Sequence, residues 1–281
     1  MEKVSPNNKI DALLAVLQNE VVLTDRELLE LQSLHQTLED EFGEISEMSD
    51  EIFSEFLKLY EKIPYDSPFR VPFSINTPEQ KHDREYYEAR DQEVLKSLLN
   101  RERWILEQWS TYFFKIILPK IFGHLNGEIQ NGGIKSWDSI NERMASREAD
   151  GRQQPLNFVR DLLRGRFVGE KLEDVEEAMR ILRETSIDQI ISVINAYHSL
   201  FIDWRGSREA KPFVAANFTL KIDQNLTYEL QLLTKRAELI GKLDHSVRIK
   251  RKVKLLEELD NFLKALAWGS HLLDLREYLD K

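Results

Sequence analysis

Prolines are concentrated in one short stretch of this chain. Four of the eight, Pro64, Pro68, Pro72 and Pro78, lie within PYDSPFRVPFSINTP. Proline fixes φ, lacks a backbone N–H and disfavours helical geometry in the residue before it, so a helix cannot run through this stretch. We therefore predict an extended connector over residues 64–77, which links a helical start of the chain to the rest.

The chain before the connector has the spacing of amphipathic helices. Apolar residues recur at helical intervals in IDALLAVL, ELLELQSLHQTL and IFSEFLKLY, and Thr24 with Glu27 matches a capping box. We predict an acidic helical region over residues 1–63.

The chain after the connector begins with a second helical pattern. Thr77, Pro78 and Gln80 are typical of a helix start. We predict one long helix over residues 78–124, which packs on the core and is interrupted or ended near Pro119 and Gly123. Its aromatic stripe is expected to be core rather than a ligand platform. The stripe comprises Trp104, Trp109, Tyr112, Phe113 and Phe114.

Short strands alternate with helices beyond Gly132 and Gly133. LLRGRFVG and QIISVI are predicted strands, and LEDVEEAMRILRE is a predicted helix. VAANFTLKI and LTYELQLL, separated by Asp223-Gln224-Asn225, are typical of an antiparallel hairpin. A C-terminal helix is predicted over residues 253–281. The pattern indicates an α+β fold.

Composition limits the chemistry that is available. The 281 residues include no cysteine, which excludes disulfides, a thiolate nucleophile and a Cys-ligated zinc site. No apolar run approaches the about 20 residues of a membrane-spanning helix, and the first residues lack the basic start of a signal peptide. We predict a soluble, cytoplasmic protein with no membrane partner, which uses carboxylates, bases, hydroxyls or a hard metal ion.

The net charge of −10 is unevenly distributed. Residues 1–130 carry −11 and residues 131–281 carry +1. A basic run within the second part is either a solvated helix face or a surface for an anion such as RNA. The run comprises Lys235, Arg236, Lys242, His245, Arg248, Lys250, Arg251, Lys252 and Lys254.

Two acidic residues are candidates for a metal site. Glu229 and Gln231 share one face of a predicted strand whose other face is apolar, and Asp161 precedes the strand LLRGRFVG. Carboxylates on adjacent strands commonly hold Mg²⁺ together with phosphates. An ordinary solvated strand face and a local turn contact of Asp161 are the alternatives.

Three polar residues at intervals of four have the helical spacing to bind a polyphosphate together. Lys135, Ser139 and Arg143 would project on one side of a helix that begins after Gly133. The same spacing is also typical of solvent-exposed side chains on a helix surface that bind nothing.

Four segments in order resemble the RelA/SpoT synthetases, nucleotide pyrophosphokinases that make alarmones. GGIKSWDSINERM resembles G-R-x-K-x-x-x-S-I-x-x-K/R-M, and VRDLLRGRFV resembles the D-L-x-x-x-R strand. FIDWRGSREAKPFVAANFTLKI resembles the F-K-D-Y block, and ELQLLTKRAELIGKLDH resembles E-I-Q-L-R-T with the terminal E-H. The resemblance covers about residues 125–252.

The resemblance implies a nucleotidyltransferase-like domain with a mixed sheet flanked by helices. It makes Asp161 and Glu229 the catalytic and Mg²⁺-binding carboxylates. The ATP and phosphate side would comprise Lys135, Ser139, Arg143 and Arg166. The acceptor nucleotide would meet Phe213, Asn217, Gln231 and His245.

The chain departs from the family at several positions. Gly133 and Leu233 stand where the family has arginines, Asn217 replaces a histidine, and Phe213 replaces a tyrosine that stacks on the acceptor base. A phenyl ring can still stack, whereas glycine and leucine cannot replace a guanidinium on phosphate. Nearby arginines are candidates to compensate, namely Arg152, Arg164, Arg205 and Arg208.

The implied reaction transfers pyrophosphate from ATP to the 3′-hydroxyl of GDP or GTP. A relative that modifies tRNA 3′ ends or adenine nucleotides, and a degenerate binding module without catalysis, remain as alternatives. RNA as a partner and a homo-oligomer also stay open. The scattered histidines include no His-Asp pair, so alarmone hydrolysis is not expected.

Overall fold

The computed structural model describes residues 23–43, 45, 50–70, 84–149, 151, 155–184, 190–195, 215–250 and 257–280. It divides the chain into two compact units. The first unit draws its described residues from the chain up to and including Pro64 and from Thr234 onwards. The second draws them from the chain from Tyr65 to Leu233.

The described residues form ten α-helices and five strands. The helices are α1 Asp25–Phe42, α2 Asp50–Lys62, α3 at 84–89, α4 Gln92–Asn100, α5 Arg103–Tyr112, α6 Leu118–Phe122, α7 Trp137–Ala149, α8 Leu172–Glu184, α9 Lys235–Lys250 and α10 Glu257–Leu279. The strands are β1 Gly127–Ile134, β2 Leu163–Gly169, β3 Ile190–Asn195, β4 Ala216–Lys221 and β5 Thr227–Thr234.

The first unit is helical in its described part and contains α1, α2, α9 and α10. The predicted capping box is confirmed: the Thr24 hydroxyl accepts from the Glu27 amide, and the Glu27 carboxylate accepts from the Thr24 amide. This pair satisfies donors that the first helical turn leaves free. Leucines from three helices form one apolar core, among them Leu31, Leu243 and Leu266.

The units do not follow the predicted range of 125–252. Helix α9 lies in the first unit, whereas α3 to α6 share the second unit with the sheet. The predicted helix after residue 250 is present as α10, with Phe262 and Leu263 buried. Residues 251–256 lie outside the described chain.

The prediction of one long helix over residues 78–124 is wrong. The Asp91 carboxylate accepts from the amides of Glu93 and Val94, at 2.8 and 3.3 Å, and so begins a new helix at α4. Another break separates α4 from α5, and a π-helical turn covers Phe113–Ile117. Helix α6 ends at Gly123, as the sequence predicts.

The aromatic stripe is only partly core. Phe113 is buried and stacks on Tyr228, with ring centroids 4.6 Å apart. Trp104 and Tyr112 are 61% and 45% exposed, so the prediction that they belong to the core is wrong. The aromatic residues do not form one continuous apolar face, because the segment is broken into several helices and not the single helix that the spacing predicted.

The sheet has the order β1-β2-β5-β4-β3. The pairs β1–β2, β3–β4 and β4–β5 are antiparallel. Two side-chain hydrogen bonds link β5 to β2 and the segment before it: Thr227 donates to the Arg160 carbonyl, and Gln231 accepts from Arg166. Residue numbers therefore increase in the same direction along both strands. The central pair is therefore parallel and the sheet mixed, which confirms the predicted α+β class.

The predicted hairpin of β4 and β5 is confirmed. The Asp223 carboxylate accepts from the amides of Asn225 and Leu226, at 2.7 and 2.8 Å. These bonds hold a tight turn and fix the register, which places Thr219 opposite Glu229 and Asn217 opposite Gln231.

Candidate active site

One face of the sheet is polar and the other apolar. On β5, Tyr228, Leu230 and Leu232 are fully buried, while Glu229 and Gln231 alternate with them and are partly exposed. Strand period places the polar residues of paired strands side by side. The polar face is formed by Arg164 and Arg166 of β2, Glu229 and Gln231 of β5, and Asn217 and Thr219 of β4.

A buried carboxylate at the start of β2 binds two cations. Asp161 accepts from Lys135 Nζ at 2.5 Å and, through both of its oxygens, from Arg143 Nη1 at 3.1 Å. Burial alone would raise the pKa of Asp161, but the hydrogen bond and charge of Lys135, together with the charge of Arg143, hold that pKa below its usual value. Asp161 is therefore ionised at neutral pH.

The pKa of Glu229 is shifted in the opposite direction from that of Asp161. Burial raises the pKa of Glu229 above its usual value of 4.5, and the negative charge of Asp161 raises it further. Arg164, Lys135 and Arg143 offset part of this shift. Within the described residues, the carboxylate of Glu229 accepts no hydrogen bond. The site thus holds two interacting carboxylates of unlike basicity, as acid–base sites commonly do.

A second polar row crosses the sheet beside Glu229. Arg166 Nε donates to Gln231 Oε1 at 3.0 Å, and Gln231 lies opposite Asn217 in the ladder. The Asn217 side-chain oxygen is buried, and none of the described residues donates a hydrogen bond to it. A buried amide in this state can accept from a ligand.

The helical stripe predicted for the phosphate side is wrong in its geometry. Lys135 follows β1 and precedes α7, so it is not on the helix. Lys135 and Arg143 nevertheless meet at Asp161. Ser139 is exposed on α7, where its amide donates to the Ser136 hydroxyl at 3.2 Å, and it does not join the Asp161 cluster.

The positions of the two missing family arginines differ in their surroundings. Gly133 follows a β-bulge and has φ +69, with the Asn131 side chain accepting from its amide at 2.9 Å. A Cβ on Gly133 would meet nothing within 4 Å. Leu233 is 1% exposed. The space at Gly133 is open to a ligand, whereas the position of Leu233 is closed.

Some predicted residues cannot be placed. Phe213 lies outside the described residues, as does the side chain of His245, although its backbone belongs to α9. Arg152, Arg205 and Arg208 also lie outside them. Of the four arginines that could compensate for the missing ones, Arg164 is described, and its charge acts on Glu229.

Arg164 entered the sequence predictions only as one of four arginines that could compensate for the missing ones. Alternation in LLRGRFVG puts Arg164 and Arg166 on one side of β2, the same alternation that singled out Glu229 and Gln231. That signal was therefore sufficient to find it.

Comparison with known proteins gives matches only among solved structures. No family model and no curated protein matches the chain. Small alarmone synthetase 1 from Bacillus subtilis, bound to its product pppGpp, is 14% identical with a TM-score of 0.47, over 67% of this chain and 96% of that one. The chain resembles small alarmone synthetases.

Two further solved structures give the same picture. Small alarmone synthetase 2 from Bacillus subtilis is 19% identical with a TM-score of 0.47, over 66% of this chain and 96% of that one. A GTP pyrophosphokinase family protein from Streptococcus pneumoniae is 19% identical with a TM-score of 0.43, over 72% and 93%. Identities this low concern the fold, so the function must be argued from the site's own residues.

No helix among the described residues is long and apolar enough to cross a membrane. The same residues contain no group of three or more His, Cys, Asp or Glu side chains arranged to hold a metal ion.

Proposed function

We propose that this protein transfers pyrophosphate from ATP to the 3′-hydroxyl of a guanosine nucleotide, GDP or GTP. The observation that carries the proposal is the cluster of Lys135, Asp161 and Arg143 beside Glu229 on the polar face of the sheet. The motifs that resemble the RelA/SpoT synthetases supply the identity of the donor and acceptor.

The transfer makes one bond and breaks one. The 3′-oxygen bonds to the β-phosphorus of ATP, the bond from that phosphorus to the bridging oxygen of AMP breaks, and the hydroxyl proton leaves to a base. Such chemistry depends on positioning and charge stabilisation more than on covalent help from the protein. The protein must therefore supply cations for the phosphates and a base for the hydroxyl.

Glu229 has the properties of that base. Its pKa is raised by burial and by Asp161, and none of the described residues engages its oxygens. A carboxylate of raised pKa accepts a proton more readily than an ordinary one. Asp161, whose pKa is lowered, stays ionised and holds Lys135 and Arg143 in place for the phosphates.

Asp161 and Glu229 would also hold Mg²⁺. Their oxygen donors suit this hard cation, and the repulsion that raises the pKa of Glu229 would be relieved by a positive ion. Bound Mg²⁺ would neutralise charge on the phosphate oxygens. Since both oxygens of Asp161 already accept from cations, Mg²⁺ should enter with the nucleotide rather than alone.

The acceptor would lie along the row of Arg166, Gln231 and Asn217. These side chains offer donors and acceptors on one side of the sheet, and the Asn217 oxygen is free to accept.

Two cations of the basic run, which could have bound an RNA acceptor, are held in ion pairs with carboxylates of the protein. Lys242 pairs with Glu27 at 2.6 Å, and Arg236 pairs with Asp274 at 2.8 Å and Glu277 at 2.6 Å. Cations held in such pairs are less available for an RNA backbone.

The proposal is tested by incubating the purified protein with Mg²⁺, ATP labelled at the β-phosphate, and GDP or GTP. We expect label on the guanosine product and one AMP per transfer. Glu229→Gln should lower the rate by about 100-fold or more, the usual contribution of a general base. Glu107→Gln, an exposed change on α5, is the matched control.

Other acceptors are separate arms of the same assay. Transfer to an adenine nucleotide or to tRNA but not to GDP or GTP would overturn the choice of acceptor. Tight nucleotide binding by calorimetry without turnover would overturn catalysis altogether and favour a binding module.

A further inference from the structure

We infer that Arg164 is the arginine with which this protein binds the phosphate chain of its nucleotide donor. The inference rests on the proposed function for the identity of that donor. Its physical basis is a guanidinium whose charge acts on Glu229 and which has no hydrogen-bond partner among the described residues.

The position of Arg164 follows from the register of β1 and β2. Gly133 lies directly opposite Arg164, and the bulge between Asn131 and Gly133 inserts Gly132 as an extra residue. A Cβ on Gly132 would lie 2.8 Å from the Arg164 Cβ, so β1 passes close beside the arginine. The space beside Gly133 is open. Arg164 therefore lies next to a space that remains open because residue 133 is a glycine.

Among the described residues, none accepts a hydrogen bond from the guanidinium of Arg164. Its Nε is buried and has no partner there. A neighbouring contrast is Arg166, whose Nε donates to Gln231. Leaving a buried charged donor unsatisfied costs free energy that a bound acceptor would recover.

The charge of Arg164 acts within the proposed site. It lowers the pKa of Glu229, as do Lys135 and Arg143. These three cations surround two carboxylates, which leaves a net positive charge for an incoming anion. Lys135 and Arg143 each donate to Asp161, whereas Arg164 donates to none of the described residues.

A phosphate chain is the ligand that suits this group. Guanidinium pairs with phosphate oxygens through two parallel hydrogen bonds, which a free planar fork provides and an ammonium does not. A polyphosphate also carries enough negative charge to balance the surplus cations. Arg164 would therefore contribute to affinity for the donor, while Glu229 serves the acceptor hydroxyl.

The test uses inorganic tripolyphosphate as a probe, because its binding does not require transfer. We expect calorimetry of the full chain to show binding that weakens about tenfold or more in Arg164→Met, the loss of one charge-assisted hydrogen bond. Arg164→Lys should recover only part of the affinity. Arg103→Met, an exposed change on α5, should bind as the wild type does.

The KM for ATP gives a second measurement of donor binding. Arg164→Met should raise this KM, and Arg164→Lys should raise it less. Equal tripolyphosphate binding by Arg164→Met and the wild type would overturn the inference. So would no binding by either when thermal melting shows that both are folded.

The proposed function and this inference fail in distinguishable ways. Tripolyphosphate binding that depends on Arg164, without any transfer, would support the inference and overturn the proposed function. Transfer by the wild type that Arg164→Met and Arg164→Lys leave unchanged in KM would do the reverse.

Discussion

Lys135 Nζ lies 2.5 Å from Asp161 Oδ2, and both side chains are buried. The ammonium group of Lys135 is shielded from water, and its hydrogen-bonded counter-ion is the Asp161 carboxylate. Such a pair is weak evidence for net stability, but removing one partner leaves an uncompensated buried charge. The pair therefore links the proposed phosphate side to the integrity of the fold.

Asp161→Asn should destabilise the protein. The buried ammonium of Lys135 would keep only a neutral acceptor, and we expect a loss of about 3–5 kcal/mol in the free energy of unfolding. Denaturant unfolding at neutral pH measures the loss. Lost transfer in this variant would then report unfolding as much as catalysis, so Glu229 is the better residue for assigning the chemistry.

The double variant Lys135→Met with Asp161→Leu is the control. Replacing both charges by apolar groups of similar size is often neutral, so most of the lost stability should return. An Asp161→Asn variant as stable as the wild type would show that the pair is not needed for folding.

The sequence identified the residues of this pair for a reason that the structure corrects. Helical spacing grouped Lys135 with Arg143, yet Lys135 follows β1, a strand that the sequence did not predict. GEIQNGGI contains three glycines and an asparagine, which have low strand propensity. Pairing with β2 makes this segment a strand, and such tertiary pairing is not visible in local pattern.

Long-range contacts also explain the broken helix over residues 78–124. The apolar spacing continues through Asp91, so periodicity alone predicts one helix. The Asp91 amide donates to Asn225 at 3.0 Å, and the Asp91 carboxylate caps α4. The contact with Asn225 spans more than a hundred residues of chain, whereas the hairpin and its polar face depend on local alternation and could be predicted.

Glu229→Gln should stabilise the protein while it slows transfer. Burial and Asp161 raise the pKa of Glu229 above 4.5, so its ionised form is disfavoured in the folded state. We expect the variant to have a higher melting temperature than the wild type at neutral pH.

The pH dependence of that gain has a definite sign. Below the ordinary value of 4.5 both states of the wild type are protonated at this site, and the variant should gain nothing. As the pH rises from there through the raised folded pKa, the wild type loses stability relative to the variant, and the gain then stays constant. Melting curves from pH 4 to 8 would measure this; a gain that falls with rising pH would contradict it.

The acid limb of the transfer rate should lie above pH 4.5. Transfer requires the ionised form of Glu229 as the base, and its pKa is raised. The rate should therefore increase with pH through that raised value. A profile of kcat/KM with an acid limb at or below 4.5 would assign the base to another group.

Arg90→Lys should destabilise the second unit. The buried Arg90 donates to three carbonyls, to Asn225 at 2.7 Å from Nε and to Asn157 and Val159 at 3.0 and 3.1 Å from Nη1. A lysine cannot reproduce this fork, and we expect a loss of about 2–3 kcal/mol for the unsatisfied groups. Arg84→Lys, an exposed change on the preceding turns of helix, is the matched control in the same unfolding experiment.

Leu233→Arg should unfold the sheet rather than restore a phosphate contact. The family resemblance suggests an arginine at this position, but Leu233 is 1% exposed, so a larger, charged guanidinium there would have to displace its neighbours and lose its contact with water. We expect a loss of more than about 3 kcal/mol in the free energy of unfolding and no gain in transfer. Leu233→Met, which keeps the volume and the apolar character, should cost less than about 1.5 kcal/mol and retain activity. A folded Leu233→Arg variant with faster transfer would mean that this position is open to the nucleotide, so circular dichroism and the transfer assay on the same samples decide between the two.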